Sequence, residues 1–231
     1  MQGTLYGVGV GPGDPELMTL KAVRLIRENM YIAAPGEDAR DTVAYKIAVQ
    51  AVPDLEEKKL LSVYMPMSHD KEEREACHKR GVQMLEEVLD TGENVVFLTL
   101  GDPTVYSTFS YLQKRVEEDG YPTALVSGIT SFCAAAARLN MPLSLWQEPL
   151  QIIPAVHRLD ERLDGEGTYI LMKSGKKMDQ VKEILRESKK EVCMVEDCGM
   201  DTEKVYHSVD EIPDDAGYYS LIIAKEPESG Q

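Results

Sequence analysis

Two loops rich in glycine, proline and aspartate contain the residues of this chain whose types and spacing could support chemistry. Residues 7–15 read Gly-Val-Gly-Val-Gly-Pro-Gly-Asp-Pro, and residues 98–106 contain the sequence Gly-Asp-Pro. Glycine permits positive φ angles and lets a ligand approach the backbone closely, while proline stiffens a loop. Such loops form either tight turns between a strand and a helix or the walls of a ligand site, and the residues alone leave both interpretations open.

A third segment of similar character spans residues 126–137. Gly128 breaks the chain there, and Thr130 or Ser131 is predicted to cap a helix of small residues. Small residues suit close packing or a ligand that lies against the start of the helix, although capping alone would explain them. Asp102, directly after an apolar run and before a proline, is likewise either a cap or a site residue.

The first loop superficially resembles a dinucleotide-binding fingerprint, since it contains several Gly-x-Gly pairs. Pro12 and Pro15 stand where helix N–H groups would hold a pyrophosphate, however, and no acidic residue closes the next predicted strand, residues 30–34. The sequence also contains no phosphate-binding Walker motif. The residues therefore argue against a dinucleotide site.

Strands, loops and helices alternate through the first half of the chain. This order predicts an α/β domain with a mostly parallel sheet, in which ligands bind beyond the carboxyl ends of the strands. Both aspartate-containing loops are predicted to fall at that edge. A continuous apolar run at 95–100 is typical of a strand covered on both faces. Further strands are predicted at 4–10, 30–34, 60–65 and 123–127, with helices after Thr19 and at 41–52, 70–91, 105–119 and 130–140.

The second half has fewer helices per strand, which predicts a mixed α+β sheet in a second domain. We therefore expect an N-terminal α/β domain over residues 1–127 and a C-terminal α+β domain over residues 128–231. Trp146 is expected to pack near the segment that joins them. The strands of the second domain are predicted at 151–156, 168–173, 191–197 and 218–225, and its one clear helix at 177–189.

Composition and charge restrict the partners and the compartment. The chain of 231 residues is 43% hydrophobic and 28% charged, with a formal net charge of −15. Nucleic-acid binders usually present a basic surface, so neither RNA nor DNA is expected as a partner. No segment reaches the roughly 18 apolar residues that span a bilayer, and the first residues do not resemble a secretory signal. A cytoplasmic protein is therefore predicted.

Cysteine and histidine do not have the spacing of metal ligands. The four cysteines are scattered without Cys-x-x-Cys spacing, so neither a disulfide framework nor a zinc site is predicted. Cys133 and Cys193 lie in apolar runs and are predicted to be buried. No metal is expected either from the widely separated histidines, which are His69, His78, His157 and His207.

Taken together, the three glycine-containing segments resemble the tetrapyrrole methylase family. Its members carry GxGPGDPxxLTxxA near the N-terminus, matched by residues 9–22 with Met18 before the threonine, and an apolar strand leading into GDPxxY, matched by 98–106. They also carry (P/E)G(I/V)(T/S)S before an alanine-rich helix and a Pro-Leu pair, matched by 127–143, with Ser127 in the usual place of Pro or Glu. The resemblance covers nearly the whole chain.

The resemblance implies two α/β domains with S-adenosylmethionine held in the cleft between them, and a homodimer. Segments 101–112 and 171–178 look most like the members that methylate C20 of precorrin-2 or cobalt-factor II on the way to cobalamin. Other members methylate different corrin carbons, a ribosomal RNA ribose, or a modified histidine of an elongation factor. A non-catalytic cofactor-binding module is a further alternative, although all three cofactor motifs are intact.

Methyl transfer of this kind is an in-line displacement at the sulfonium, which needs alignment more than a strong base. Asp102 and Tyr106 are the residues predicted nearest to the chemistry, with aromatic packing in the cleft wall as the other interpretation of Tyr106. Asp197 and Asp201 are either site residues or loop caps. Carried over by motif, the cofactor-binding residues are Pro12, Leu100, Gly101, Asp102, Val105, Thr130, Ser131, Met172 and Gly199.

Overall fold

The fold was analysed in a computed structural model that describes residues 2–66, 70–154, 163, 165–175 and 178–227. The chain divides into two compact units, Met1–Thr130 and Ser131–Gln231. The boundary predicted between residues 127 and 128 falls in the loop just before the first helix of the second unit. His69 and His157 lie outside the described residues.

The first unit is built on a five-stranded sheet with the order β3-β2-β4-β1-β5, in which all neighbouring strands are parallel. This confirms the predicted parallel α/β domain. Its strands are β1 (Leu5–Gly9), β2 (Tyr31–Pro35), β3 (Lys59–Val63), β4 (Val95–Thr99) and β5 (Thr123–Val126), and its helices are α1 (Leu20–Glu28), α2 (Val43–Ala51), α3 (Lys71–Leu89) and α4 (Phe109–Glu118).

Strand β4 is central, and all its residues are buried. Because side chains alternate across a strand, Val96 and Leu98 join one apolar cluster while Val95 and Phe97 join another. Helices α1 and α2 contribute to the first cluster, and α3 and α4 to the second. The continuous apolar run at 95–100 is therefore explained by helices on both faces of the sheet.

The second unit holds a mixed sheet with the order β6-β7-β10-β8-β9. Strands β6 and β7 are parallel and the other pairs antiparallel, as expected for a mixed sheet. The sequence did not predict β9, whose three residues are too few to show a pattern. The elements are α5 (Ser131–Arg138), β6 (Leu150–Pro154), β7 (Thr168–Met172), α6 (Met178–Glu187), β8 (Glu191–Glu196), β9 (Lys204–Tyr206) and β10 (Ser220–Lys225).

Three local predictions were wrong. Helix α4 begins at Phe109 rather than 105, because Tyr106 has a φ of +50° that no right-handed helix accommodates. Cys133 is exposed, since α5 buries the alanines that follow it instead. Trp146 is fully exposed, at 103% of its reference area, and lies in a loop whose conformation is held by backbone and Glu148 hydrogen bonds rather than by packing of the indole.

No helix among the described residues is long and apolar enough to cross a membrane.

Thr19 caps α1 as predicted, its hydroxyl accepting a hydrogen bond from the Ala22 N–H at 3.2 Å. The cap prevents α1 from extending back into the first glycine loop. Local sequence signals therefore define where that loop ends.

Between pH 4.5 and about 7, the stability of the protein should depend on the protonation of Glu86 on α3. Burial, a hydrogen bond with Asp119 and the charges of Asp119 and Asp90 raise its pKa from 4.5 to about 7. The folded protein thus keeps a proton that the unfolded chain loses, so the free energy of unfolding should fall as pH rises from 4.5 to about 7. Glu86→Gln should remove this fall and gain about 1–2 kcal/mol above that range.

Urea denaturation on either side of this pH range measures the effect. Glu87→Gln is the matched control, since Glu87 is the exposed neighbour on the same helix and its replacement makes the same charge change. If the two variants show the same pH profile, the proton that folded Glu86 retains does not control stability in this range.

Candidate functional site

The predicted site loops of the first unit follow β1, β4 and β5, which are neighbours in the sheet. Parallel strands end at the same edge, so the loops meet there. Gly101 N donates to Gly11 O at 2.8 Å, and Gly11 N donates to Gly101 O at 3.3 Å. Both glycines have left-handed φ angles, +79° and +71° for Gly11 and Gly101. The prediction that the two loops share one sheet edge is confirmed.

The third loop approaches the other two so closely that no side chain fits at Gly9 or Gly128. A Cβ on Gly9 would lie 2.4 Å from Gly101 O and 2.7 Å from Gly128 N. A Cβ on Gly128 would lie 2.1 Å from Gly101 O. We call Gly9, Gly101 and Gly128 the glycine junction. Here glycine is needed for contact between backbones as well as for conformation.

Asp102 joins the second loop to the third. The residue is only 8% exposed, and its Oδ1 accepts from Thr104 N at 2.7 Å and from Thr104 Oγ1. Its Oδ2 accepts from Gly128 N at 3.0 Å. Of the two sequence interpretations, Asp102 does cap, but it caps a turn and a neighbouring loop rather than α4, which begins seven residues later at Phe109.

The electrostatics of Asp102 favour the carboxylate form. Burial by itself raises the pKa of Asp102, but hydrogen bonds from Thr104, Gly128 and Ser127 together outweigh burial and hold the pKa below its usual value of 3.8. A carboxylate that accepts several N–H and O–H groups is stabilised in its charged form. Asp102 therefore stays ionised at neutral pH and acts as an acceptor, not as an acid.

Tyr106 lies in the turn between Asp102 and α4. The Val105 N–H donates to Asp102 O at 3.2 Å, which closes the turn. Tyr106 then has the left-handed φ of +50° and is 46% exposed. A left-handed tyrosine costs free energy and is found mainly where the surrounding structure requires it. Tyr106 is thus partly open to solvent in the same loop as Gly101 of the glycine junction.

Thr130 and Ser131 were the two candidates predicted to cap α5. The prediction is wrong for Thr130, whose side chain does not cap the helix. Its Oγ1 is buried and has no hydrogen-bond partner among the described residues. A buried hydroxyl without a partner costs about 1–3 kcal/mol, so it is usually satisfied by a bound molecule or water. Ser131, the alternative cap, is the first residue of α5.

The other predicted contacts of the first unit flank the glycine junction. Pro12 is buried in the first loop, and Leu100 is half-buried directly after β4. Asp14 stabilises the end of the first loop by accepting a hydrogen bond from Glu16 N at 2.8 Å. The first unit therefore brings its predicted cofactor residues together at one sheet edge. Thr104 was missed, although an aspartate two residues before a threonine is a known turn signal.

Met172 is the last residue of β7, and Gly199 lies in the loop after β8, both in the second unit. Both strands are antiparallel to β10, which lies between them, so their carboxyl ends share an edge. Asp197 Oδ2 accepts from Thr202 Oγ1 at 2.7 Å, and Gly199 N donates to Glu203 Oε2 at 2.8 Å. Asp197 therefore closes the loop after β8, as one of its two interpretations expected.

A unit with a parallel sheet, followed by a unit with a mixed sheet, is the fold that the sequence predicted. The chain belongs to the tetrapyrrole (corrin/porphyrin) methylases, whose family model matches residues 4–213. The family predicted from the three motifs is confirmed.

Two relatives that match nearly the full length of this chain are named as C(20)-methyltransferases. A probable cobalt-precorrin-2 C(20)-methyltransferase of Methanocaldococcus jannaschii is 36% identical over 225 residues, covering 96% of this chain and 95% of the relative. The cobalt-precorrin-2 C(20)-methyltransferase of Salmonella typhimurium is 30% identical over 236 residues, covering 98% of each chain.

Solved structures show the same fold. A cobalt precorrin-4 methyltransferase has a TM-score of 0.74 at 20% identity, covering 96% of this chain and 94% of its own. The uroporphyrin-III C-methyl transferase of Thermus thermophilus, solved with S-adenosylhomocysteine, has a TM-score of 0.69 at 21% identity, covering 97% and 98%. At these identities the likeness concerns the fold alone.

Proposed function

We propose that this protein transfers a methyl group from S-adenosylmethionine to C20 of precorrin-2 or cobalt-factor II, in cobalamin biosynthesis. The observation that carries the proposal is the similarity, over nearly the full length, to two relatives named for this reaction. By comparison, a precorrin-4 C(11)-methyltransferase of Pseudomonas aeruginosa is 31% identical over only 62% of this chain. The longer match favours C20 over other corrin carbons.

The residues at the glycine junction fit S-adenosylmethionine, which when bound supplies an electrophilic methyl group. The junction fixes the three loops by direct contact between their backbones, and Thr130 Oγ1, which has no hydrogen-bond partner among the described residues, is suited to a polar atom of the ligand. We propose that the cofactor is bound by residues of the first unit, which are Pro12, Leu100, Gly101, Asp102, Val105 and Thr130, and by Ser131, Met172 and Gly199, which belong to the second unit.

The chain's own residues contribute to methyl transfer mainly by aligning the cofactor with the macrocycle. Asp102 is a positioning residue, because its hydrogen bonds hold the second and third loops in one geometry. Tyr106 presents a partly exposed ring beside those loops, where a flat macrocycle could pack. Holding two reactants at attack distance supplies roughly 7–11 kcal/mol. Such catalysis needs no side chain as a strong base.

Assembly and compartment are also proposed. We propose a homodimer in the cytoplasm that acts on a small-molecule tetrapyrrole and binds neither nucleic acid nor membrane. The net charge of −15 supports the exclusion of nucleic acid, because phosphate binding needs clustered cations.

The position of the new methyl group tests the function. The protein is incubated with S-adenosylmethionine labelled with carbon-13 at the methyl, and with precorrin-2 or cobalt-factor II in separate reactions. We expect one added methyl group whose NMR signal belongs to C20, the meso carbon between rings A and D. A signal at C11, C17 or a pyrrole carbon would refute the C20 assignment and leave the family assignment intact.

A further inference from the structure

Lys173 has an unusual backbone conformation at the end of a strand. It directly follows Met172 at the carboxyl end of β7, and its φ is +61°. A left-handed conformation costs roughly 1–2 kcal/mol for a residue with a Cβ, whereas glycine adopts it freely. Non-glycine residues held in this conformation cluster at functional sites, where the side chain is needed.

The left-handed residues that follow secondary structure fall into two groups. Asn140 and Lys189 come shortly after α5 and α6, where a left-handed residue is an ordinary way to end a helix. Tyr106, Lys173 and Asp197 instead follow the carboxyl ends of strands β4, β7 and β8. Helix termination thus explains Lys189, whereas it cannot explain Lys173.

The ammonium group of Lys173 is positioned by an aromatic ring. Its Nζ lies 5.9 Å from the ring centroid of Tyr218, and Tyr218 packs edge-to-face against Tyr219 with centroids 5.3 Å apart. Tyr218 precedes β10, whose Leu221 pairs with Met172, so both groups lie at the same end of the sheet. A cation over an aromatic face is stabilised by about 0.5–1 kcal/mol while it stays accessible to an anion.

Lys173 also differs from other lysines of the second unit in its partners. Lys182, Lys190, Lys204 and Lys225 each form an ion pair with an aspartate or glutamate. Among the residues that the structure describes, Lys173 and Lys189 form no such pair. Lys173 is therefore a cation at the carboxyl edge of β7 whose charge is not matched by a described carboxylate.

We propose that Lys173, oriented by Tyr218, binds a carboxylate of the ligands at this site. The proposal rests on the proposed function, which supplies two sources of that chemistry: the acetate and propionate groups of the tetrapyrrole, and the carboxylate of the methionyl part of the cofactor. With a net charge of −15 the whole protein repels such anions, so a local cation is required to hold them.

Replacement by glycine separates this role from a structural one. Lys173→Gly should leave the free energy of unfolding unchanged or raise it, because glycine relieves the left-handed strain. The same variant should weaken binding of the carboxylate ligand about tenfold and reduce the dependence of that binding on ionic strength. Lys173→Arg should restore most of the affinity. If Lys173 merely supported the fold, Lys173→Gly would instead lower the free energy of unfolding.

Lys189→Gly is the matched control. It removes the same charge and the same strained φ, +58°, from a helix end in the same unit. We expect wild-type ligand binding for this variant.

Two titrations identify the source of the carboxylate. If it belongs to the cofactor, the Kd of Lys173→Gly for S-adenosylhomocysteine should rise about tenfold. If it belongs to the macrocycle, that Kd should not change, and the Kd for cobalt-factor II should rise instead. Wild-type Kd values for both ligands would overturn the proposal. Because binding is measured without turnover, a wild-type protein that makes no C20-methylated product would count against the proposed function separately.

Discussion

Gly128→Ala should disrupt the glycine junction and lower the affinity for S-adenosylhomocysteine about a hundredfold, because a hundredfold rise in Kd corresponds to about 2.8 kcal/mol, which is within the cost of forcing the loops apart. The new Cβ would lie 2.1 Å from Gly101 O and 2.9 Å from backbone atoms of Gly9. These are backbone contacts, so no side chain can rotate to make room, and two of the three loops must move. Overpacking of this kind costs about 1–3 kcal/mol or more.

Calorimetric titration and urea denaturation measure the two effects. Gly120→Ala is the matched control, because Gly120 has a φ of +93° but no atom within 4 Å of an added Cβ. We expect it to lose about 1–2 kcal/mol through backbone strain and to keep wild-type cofactor affinity. Wild-type binding by Gly128→Ala would show that the three loops need no direct backbone contact.

Asp102→Ala should reduce methyl transfer at least tenfold, which corresponds to about 1.4 kcal/mol. Removal of the carboxylate leaves Gly128 N and Thr104 N without their acceptor, at a cost of about 1–3 kcal/mol in stability. The protein should remain folded, because the apolar clusters on both sheet faces are untouched. The loss arises because the second and third loops are no longer held together.

Steady-state methyl transfer and thermal unfolding test this expectation. Asp38→Ala is the control, since Asp38 makes the same local turn by accepting from Arg40 N at 2.9 Å, but within the described part of the chain its carboxylate forms no hydrogen bond with a distant loop. Asp102→Asn keeps an acceptor oxygen and should lose less activity than Asp102→Ala. Unchanged turnover in Asp102→Ala would show that Asp102 acts only as a turn cap.

The lowered pKa of Asp102 also predicts how the stability of Asp102→Ala should depend on pH. Because its folded pKa lies below 3.8, the carboxylate contributes stability that is present above pH 3.8 and is lost as pH falls through the folded value. Asp102→Ala should lack that part of the acid transition. A variant with the wild-type acid profile would show that the hydrogen bonds of Asp102 contribute nothing net.

Local residue patterns were enough to predict most elements. The apolar run at 95–100 indicated a strand covered on both faces, and Thr19 indicated the start of α1; both are confirmed. The three glycine-containing segments were enough to predict the family. These signals are readable because they depend on neighbours within a few residues, through side-chain alternation and capping.

Tertiary structure decided how those segments work together. The hydrogen bond from Gly128 N to Asp102 joins residues 26 positions apart, and no local pattern encodes it. The same holds for Lys173 over the ring of Tyr218, which only the pairing of β7 with β10 brings together. The start of α4 was mispredicted because nothing in the neighbouring sequence indicates a left-handed Tyr106. The exposure of Trp146 was missed because the hydrogen bonds of its loop, not a local pattern, decide where the indole lies. The sequence alone determined the elements and the family, whereas the distances that build the site depend on strand order, because strand order brings distant loops to one edge.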